Sequence, residues 1–169
     1  MTSPPAPRNR PPEGARWAGL PAFVTAQGAA DLPAIEQFFA EGIPFNRFLG
    51  LRLTGLGRGW ASATLPFKPE LIGDPTRPAL HGGVISMMAD TLGGAAVFTL
   101  IDPGDKVATI DLRVDYLRPG RPEDLLATAW VIRLGNRVGV ASIELSHPGQ
   151  PDELVAIGKG VYVIKRAAE

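Results

Sequence analysis

The chain contains no cysteine and only two histidines, His81 and His147. The first absence excludes disulfides, thiolate metal sites and cysteine nucleophiles together. The second means that a multi-histidine metal site would have to use both imidazoles. An excess of one charge is also missing: Lys plus Arg and Asp plus Glu number 17 each. The overall field therefore gives no case for nucleic-acid binding, and any basic site has to be local. Nor does the N-terminus carry the apolar core of a secretory signal; Met1 to Trp17 is rich in Pro, Arg and Ala instead. The prolines around Arg8 and Arg10 leave little to bury. Residues 1–30 are thus expected to be a disordered extension ahead of one domain spanning 31–169. A cytoplasmic, reducing setting fits these features.

What is present is a globular composition, 45% apolar and 20% charged over 169 residues, enough for one real core. The longest apolar stretch runs from Ala79 to Ile101, 23 residues with Asp90 as the sole group of fixed charge. By length it would span a membrane as a helix. Asp90, His81 and the glycines Gly82, Gly83, Gly93 and Gly94 argue against that, as does the lack of a flanking basic cluster. A helix apolar all round is equally what a sheet-wrapped helix looks like, and the segments that follow alternate like strands of a soluble sheet.

Asp31 to Gly42 reads as a short amphipathic helix with Asp31 as N-cap and Pro33 in its first turn. Leu49 to Leu56 and Trp60 to Phe67 read as strands around Gly57-Arg58-Gly59. Lys68 to Leu80, broken by Pro69, Gly73, Pro75 and Pro78, reads as a loop. The apolar helix is expected from about Gly82 to Ile101, closed by Asp102-Pro103-Gly104. Four strands follow: Val107–Leu117, Asp124–Arg133, Arg137–Ser146 and Glu153–Lys165. In the first of them, alternation puts Ala108, Ile110, Leu112, Val114 and Tyr116 on one face, and Thr109, Asp111, Arg113 and Asp115 on the other. The order β-β-α-β-β-β-β with hairpin-length links implies one antiparallel sheet around one helix, a two-layer α+β domain.

The chemistry concentrates at the entry to that helix, Pro78-Ala79-Leu80-His81-Gly82-Gly83. Backbone N–H groups at a helix N-terminus are suited to a developing oxyanion, and glycines let a substrate approach closely. Asp90 follows Gly82 by eight residues, about two turns along the same helix. A lone carboxylate in an apolar helix is costly unless it is partnered or used.

This segment, with Pro44-Phe45-Asn46-Arg47-Phe48-Leu49-Gly50 before it, resembles the hotdog thioesterases of the phenylacetate-degradation type. In that group His-Gly-Gly is followed at this spacing by a helix-borne Asp. The resemblance runs to Val163 and implies the hotdog fold, a long central helix wrapped by a curved antiparallel sheet. It implies acyl-CoA hydrolysis, with Asp90 as nucleophile or general base, the Gly82 N–H as oxyanion donor, Gly83 shaping the turn and His81 positioning the thioester. Thr109 falls where relatives carry a hydroxyl that orients substrate or water. No metal or redox cofactor is implied. Many relatives have an amide side chain in the loop before His-Gly-Gly. Here that loop reads Gly73-Asp74-Pro75-Thr76-Arg77, leaving Asp74 or Thr76 to substitute, or a rearranged loop.

Two arginine-bearing turns, Tyr116-Leu117-Arg118-Pro119-Gly120-Arg121 and Arg133-Leu134-Gly135-Asn136-Arg137, are candidates for coenzyme A. In the family these segments meet nucleotide and pantetheine, which implies substrate-binding roles for Tyr116, Arg118, Arg121, Asn136 and Arg137, with Arg137 foremost and Lys159 last. Phe45, Phe48, Leu71, Met87 and Met88 are the expected pocket wall. The family also pairs its subunits, so that a homodimer or homotetramer completes each site. Two further readings stay open: a hotdog hydratase or dehydratase, and a non-catalytic acyl-CoA-binding module.

Overall fold

The apolar stretch from residue 79 to 101 does become a helix, and the remainder of the chain organises around it. In a computed structural model, residues 32–167 are described. The expected N-terminal extension and Asp31 as a cap lie outside the described residues. The first elements are a short helix α1 (Leu32–Gln37), a π-turn over Phe38–Gly42 and a second helix α2 (Pro44–Leu49). The π-turn is marked by the Ile43 N–H donating to Phe38 O, a five-residue step. Strands β1 (Arg52–Gly57) and β2 (Trp60–Leu65) follow, then a small hairpin β3 (Ile72–Asp74) and β4 (Ala79–Leu80). The central helix α3 (Gly82–Phe98) leads to β5 (Lys106–Tyr116), β6 (Leu125–Leu134), β7 (Val138–Ser146) and β8 (Ala156–Lys165).

Six strands form one antiparallel sheet in the order β1-β2-β6-β7-β8-β5, with β5 at an edge. This is the expected α+β hotdog architecture. Bulges between Leu53 and Gly55, Thr109 and Asp111, and Val131 and Arg133 interrupt the ladders and give the sheet the curvature to wrap a helix. The inner face lets α3 come close because its side chains are small: Ala61, Ala63, Ala127, Ala129 and Ala141 are all fully buried. Into that floor α3 inserts Ile85, Met88, Ala89, Leu92, Ala95, Ala96 and Val97. Among the described residues no helix is long and apolar enough to cross a membrane.

Three expectations need correction. The strand expected from Leu49 begins at Arg52, because Pro44 starts α2 and Gly50, at φ +77°, ends it in a conformation that suits glycine. The loop expected over Lys68–Leu80 contains the β3–β4 hairpin, tipped by Asp74, whose carboxylate accepts from Thr76 N, Thr76 Oγ1 and Arg77 N. The face assigned to Thr109 is also wrong. The bulge opposite Tyr162 and Val161 adds one residue, so Thr109 joins the helix-facing side with Leu112 and Val114, and Ile110 is left 59% exposed.

Candidate active site

Asp90 is held from three directions. Its Cα lies on the stripe of α3 that the sheet does not cover, with Met87, Thr91 and Gly94. Its Oδ1 accepts a 2.8 Å hydrogen bond from Thr109 Oγ1, a contact that the β5 bulge creates. Its backbone carbonyl accepts from the Tyr162 hydroxyl at 3.1 Å. Burial, reinforced by the negative charge of Asp90, pushes the Tyr162 phenol well above its usual range, so it stays a donor. The second carboxylate oxygen of Asp90 has no partner among the described residues, and Asp90 lines a cavity of about 690 Å³. Phe38, Phe39, Ile43, Phe98 and Val107 make that cavity largely apolar.

The other half of the site lies at the N-terminus of α3. His81 is its N-cap, with Nδ1 accepting from the Gly83 N–H at 2.9 Å. The N–H of Gly82 has no partner among the described residues, which leaves it available to an anion. The β3–β4 hairpin fixes the turn from behind. His81 N donates to Leu71 O at 2.8 Å, and a Cβ at Gly73 would come within 2.7 Å of His81 Cα. Tyr116 fixes it from the front: its hydroxyl donates to Gly82 O at 3.0 Å and sits 2.6 Å from Ser86 Oγ. With the phenol hydrogen given to Gly82, Ser86 is the donor of the second bond.

The residues expected at the site are thus sorted into separate clusters. Asp90 and Thr109 meet. His81, Gly82, Gly83 and Tyr116 meet. Eight residues of helix, about 12 Å, separate the two groups within one chain. Arg118 gives Nη1 to Leu154 O at 3.0 Å, and Arg121 pairs with Glu123 at 3.0 Å and reaches Glu153 at 3.9 Å. These two lie at the Gly82 end of the sheet, where Leu80 N donates to Gly120 O and the Arg121 N–H donates to His147 Nε2. Asn136 and Arg137 lie at the opposite end of β6, roughly 30 Å away. The two arginine turns therefore do not converge within a protomer. The Asn136 backbone carbonyl accepts from Arg166 Nε, whereas the Arg137 guanidinium has no partner among the described residues. Of the expected pocket wall, Phe45 and Met87 line the cavity; Met88 and Leu71 are buried in the core, and Phe48 is exposed. Asp74 does not replace the missing amide, since the hairpin tip consumes its carboxylate.

Comparison with known proteins places the chain in a family. Residues 78–153 match the Thioesterase superfamily. The medium/long-chain acyl-CoA thioesterase YigI of Escherichia coli is 35% identical over 144 residues, covering 78% of this chain and 92% of the relative. The chain belongs to the thioesterase superfamily. A superfamily-related protein of Shewanella oneidensis, solved by crystallography, superposes with a TM-score of 0.68 at 34% identity, covering 78% of this chain and 94% of that one. A thioesterase of Haemophilus influenzae superposes with a TM-score of 0.70 at 25% identity, over 82% and 92% of the two chains.

Several residues of this superfamily member were not singled out from sequence. From sequence, Tyr162 is one more residue of the strand Glu153–Lys165. The signal was the pattern Gly158-Lys159-Gly160-Val161-Tyr162, in which a large ring on the inner face folds over a glycine two positions away. A Cβ at Gly160 or Gly93 would overlap the Tyr162 ring or hydroxyl. Phe38, Phe39 and Phe98 carry the far wall of the cavity. Asn46, 2% exposed, gives Nδ2 to Phe39 O and ties α2 to the π-turn.

Proposed function

We propose that this thioesterase hydrolyses acyl-CoA thioesters to free acid and coenzyme A, with the apolar cavity beside Asp90 receiving a medium-chain or aromatic acyl group. One observation carries the proposal: a carboxylate with one oxygen held by Thr109, in the wall of a largely apolar cavity. The likeness to a relative named for medium/long-chain acyl-CoA supports the substrate class. The His81-Gly82-Gly83 to Asp90 spacing supports a site plan of the phenylacetate-degradation type.

As general base, Asp90 takes a proton from water whose oxygen adds to the thioester carbonyl. The carbonyl oxygen becomes an oxyanion facing the Gly82 N–H, where the helix dipole favours negative charge. Collapse breaks the C–S bond, and the departing thiolate takes the proton back from Asp90. As nucleophile, the same carboxylate would add to the carbonyl and expel the coenzyme A thiolate, leaving a mixed anhydride. Water would then open it to free acid and Asp90, the water's proton passing to the thiolate. His81 and Gly83 shape the turn in either route.

The 12 Å between Asp90 and Gly82 along α3 favours a homodimer. The edge strand β5 is eleven residues long and, among the described residues, unpaired on its outer side, with Ile110 59% and Tyr116 52% exposed. A two-fold axis between Leu112 and Arg113 would pair β5 with its copy so that Thr109 faces the partner's Tyr116. That register brings Asp90 toward the partner's Gly82, and two such dimers would make a homotetramer. Arg118, Arg121, Asn136 and Arg137, set at the two ends of the sheet, would then come from different subunits toward coenzyme A. Arg137 is the cation best suited to a phosphate.

The test is thiol release from short, medium, long and aromatic acyl-CoAs by wild type and Asp90→Asn. Turnover by wild type and its loss in a variant that still binds substrate supports the enzyme. Tight binding without turnover by either protein would replace it with a non-catalytic acyl-CoA-binding module.

A further inference from the structure

The uncovered stripe of α3 runs from Asp90 through Gly94 to Phe98 and forms one wall of the large cavity. At its far end Phe98 stacks on Phe38, with ring centroids 5.7 Å apart and planes inclined by 19°, and Phe39 meets both rings edge-on. The stacked pair is not the end of the apolar space. A second cavity of about 270 Å³, lined by Ala34, Ile35 and Ile101, is bounded by the same Phe38 and Phe98. The two rings therefore stand between two largely apolar pockets, each partly open, the second also bordered by Asp102.

The partition stands on an adaptable support. Phe38 opens the π-turn Phe38–Gly42 and is 46% exposed. Its ring rests against Gly42, where a Cβ would lie 3.0 Å from Phe38 Cδ2. Midway along the wall, Gly94 leaves open space of a particular kind. A Cβ there would touch Tyr162 only at ordinary distances, 3.5 and 3.9 Å, and a longer side chain would extend into the cavity. Gly93, one residue earlier, has no such room, because a Cβ would overlap the Tyr162 hydroxyl.

We propose that Gly94 and the Phe38–Phe98 partition set the length of acyl chain this protein accepts. The inference rests on the acyl-CoA reading above. With the thioester carbonyl at Asp90, eight residues of helix give about 12 Å to Phe98. At about 1.2 Å per bond of extended chain, that distance accommodates about ten carbons. A medium saturated chain therefore fills the first chamber, and a longer one has to displace Phe38 to enter the second. Gly94 lies about 6 Å from Asp90, so a side chain there would stop the tail after about five carbons.

The experiment measures kcat/KM for butyryl-, decanoyl- and palmitoyl-CoA with wild type, Gly94→Leu and Phe98→Ala, folding being checked by circular dichroism. Gly94→Leu is expected to lower the decanoyl-to-butyryl ratio about 100-fold, and Phe98→Ala to raise the palmitoyl-to-decanoyl ratio about tenfold. Should Gly94→Leu fail to fold, Gly94→Ala, whose methyl meets only ordinary contacts, repeats the first arm with a smaller drop; should Phe98→Ala fail, Phe38→Ala at its half-exposed position repeats the second. Unchanged ratios in folded variants of an active enzyme would overturn the chain-length proposal and leave the thioesterase reading intact. Absence of turnover by wild type on every acyl-CoA would overturn both.

Discussion

The Thr109 hydroxyl reaches Asp90 Oδ1 at 2.8 Å only because one extra residue in β5 turns it toward the helix. Unbulged, the strand would aim Thr109 away from α3, with Asp111 and Arg113. Thr109→Val keeps the shape and removes the donor. A hydrogen bond to a charged group contributes about 1.5–3 kcal/mol, so kcat/KM for acyl-CoA is expected to fall about tenfold or more. Thr109→Ser should restore most of it. Equal activity of the Val variant would remove Thr109 from the catalytic set.

Tyr116 holds the carbonyl of Gly82 and the hydroxyl of Ser86, so on the proposed route it would act at one remove. Tyr116→Phe is expected to lower kcat about fivefold, the equivalent of about 1 kcal/mol, with the melting temperature hardly moved. A change confined to KM would instead mark Tyr116 as a substrate contact.

Adjacent glycines of α3 should respond oppositely to the same substitution. Gly93→Ala forces a methyl into the Tyr162 hydroxyl and is expected to cost about 1–3 kcal/mol of stability. Gly94→Ala meets only ordinary contacts and removes a helix glycine, which should raise stability by up to about 1 kcal/mol. Denaturant titration of the two variants checks the pair, and equal effects would contradict the packing described.

The C-terminal residues are latched through Asp105, whose carboxylate accepts from the Ala167 N–H at 2.9 Å and from Arg166 Nη1 at 2.6 Å. The Ala167 hydrogen bond first, and Arg166 with it, hold its pKa below the usual carboxylate value despite its burial. Four bonds at the β3–β4 tip, led by that from the Thr76 hydroxyl, likewise hold Asp74 at about 2. A depressed folded pKa gives stability that is complete above the unfolded value and is lost as pH falls through the folded one. The melting temperature should therefore drop as pH goes from about 5 toward 2. The drop should be smaller in Asp105→Asn, whose melting temperature is already lower at neutral pH. Parallel curves for the two proteins would show that the latch does not titrate.

Much of this architecture was legible in the sequence. A single long apolar stretch with a lone carboxylate announced α3, and hairpin-length links announced the antiparallel order. What escaped came from packing that periodicity does not encode. Thr109 was assigned to the wrong face because period-two alternation holds only for an unbulged strand, and nothing in Ala108-Thr109-Ile110-Asp111 marks the extra residue. Helix α2 was missed because Pro44 to Leu49 is too short to display a period. Tyr162 and the phenylalanine partition depend on which glycines lie across the interior, a relation between β8, α3 and the π-turn that distant residues establish.

The capping bond at His81 fixes the tautomer of that ring. With Nδ1 occupied by the Gly83 N–H, the neutral imidazole carries its proton on Nε2 and has no lone pair left to accept another. At the mouth of α3 the ring is an electrophilic partner, able to give a hydrogen bond to a carbonyl oxygen beside the Gly82 amide. While the cap holds, a hydratase-type reaction that draws a proton from the acyl chain would find no free lone pair on that ring. On the proposed general-base route, proton removal would then fall to Asp90, two helical turns away.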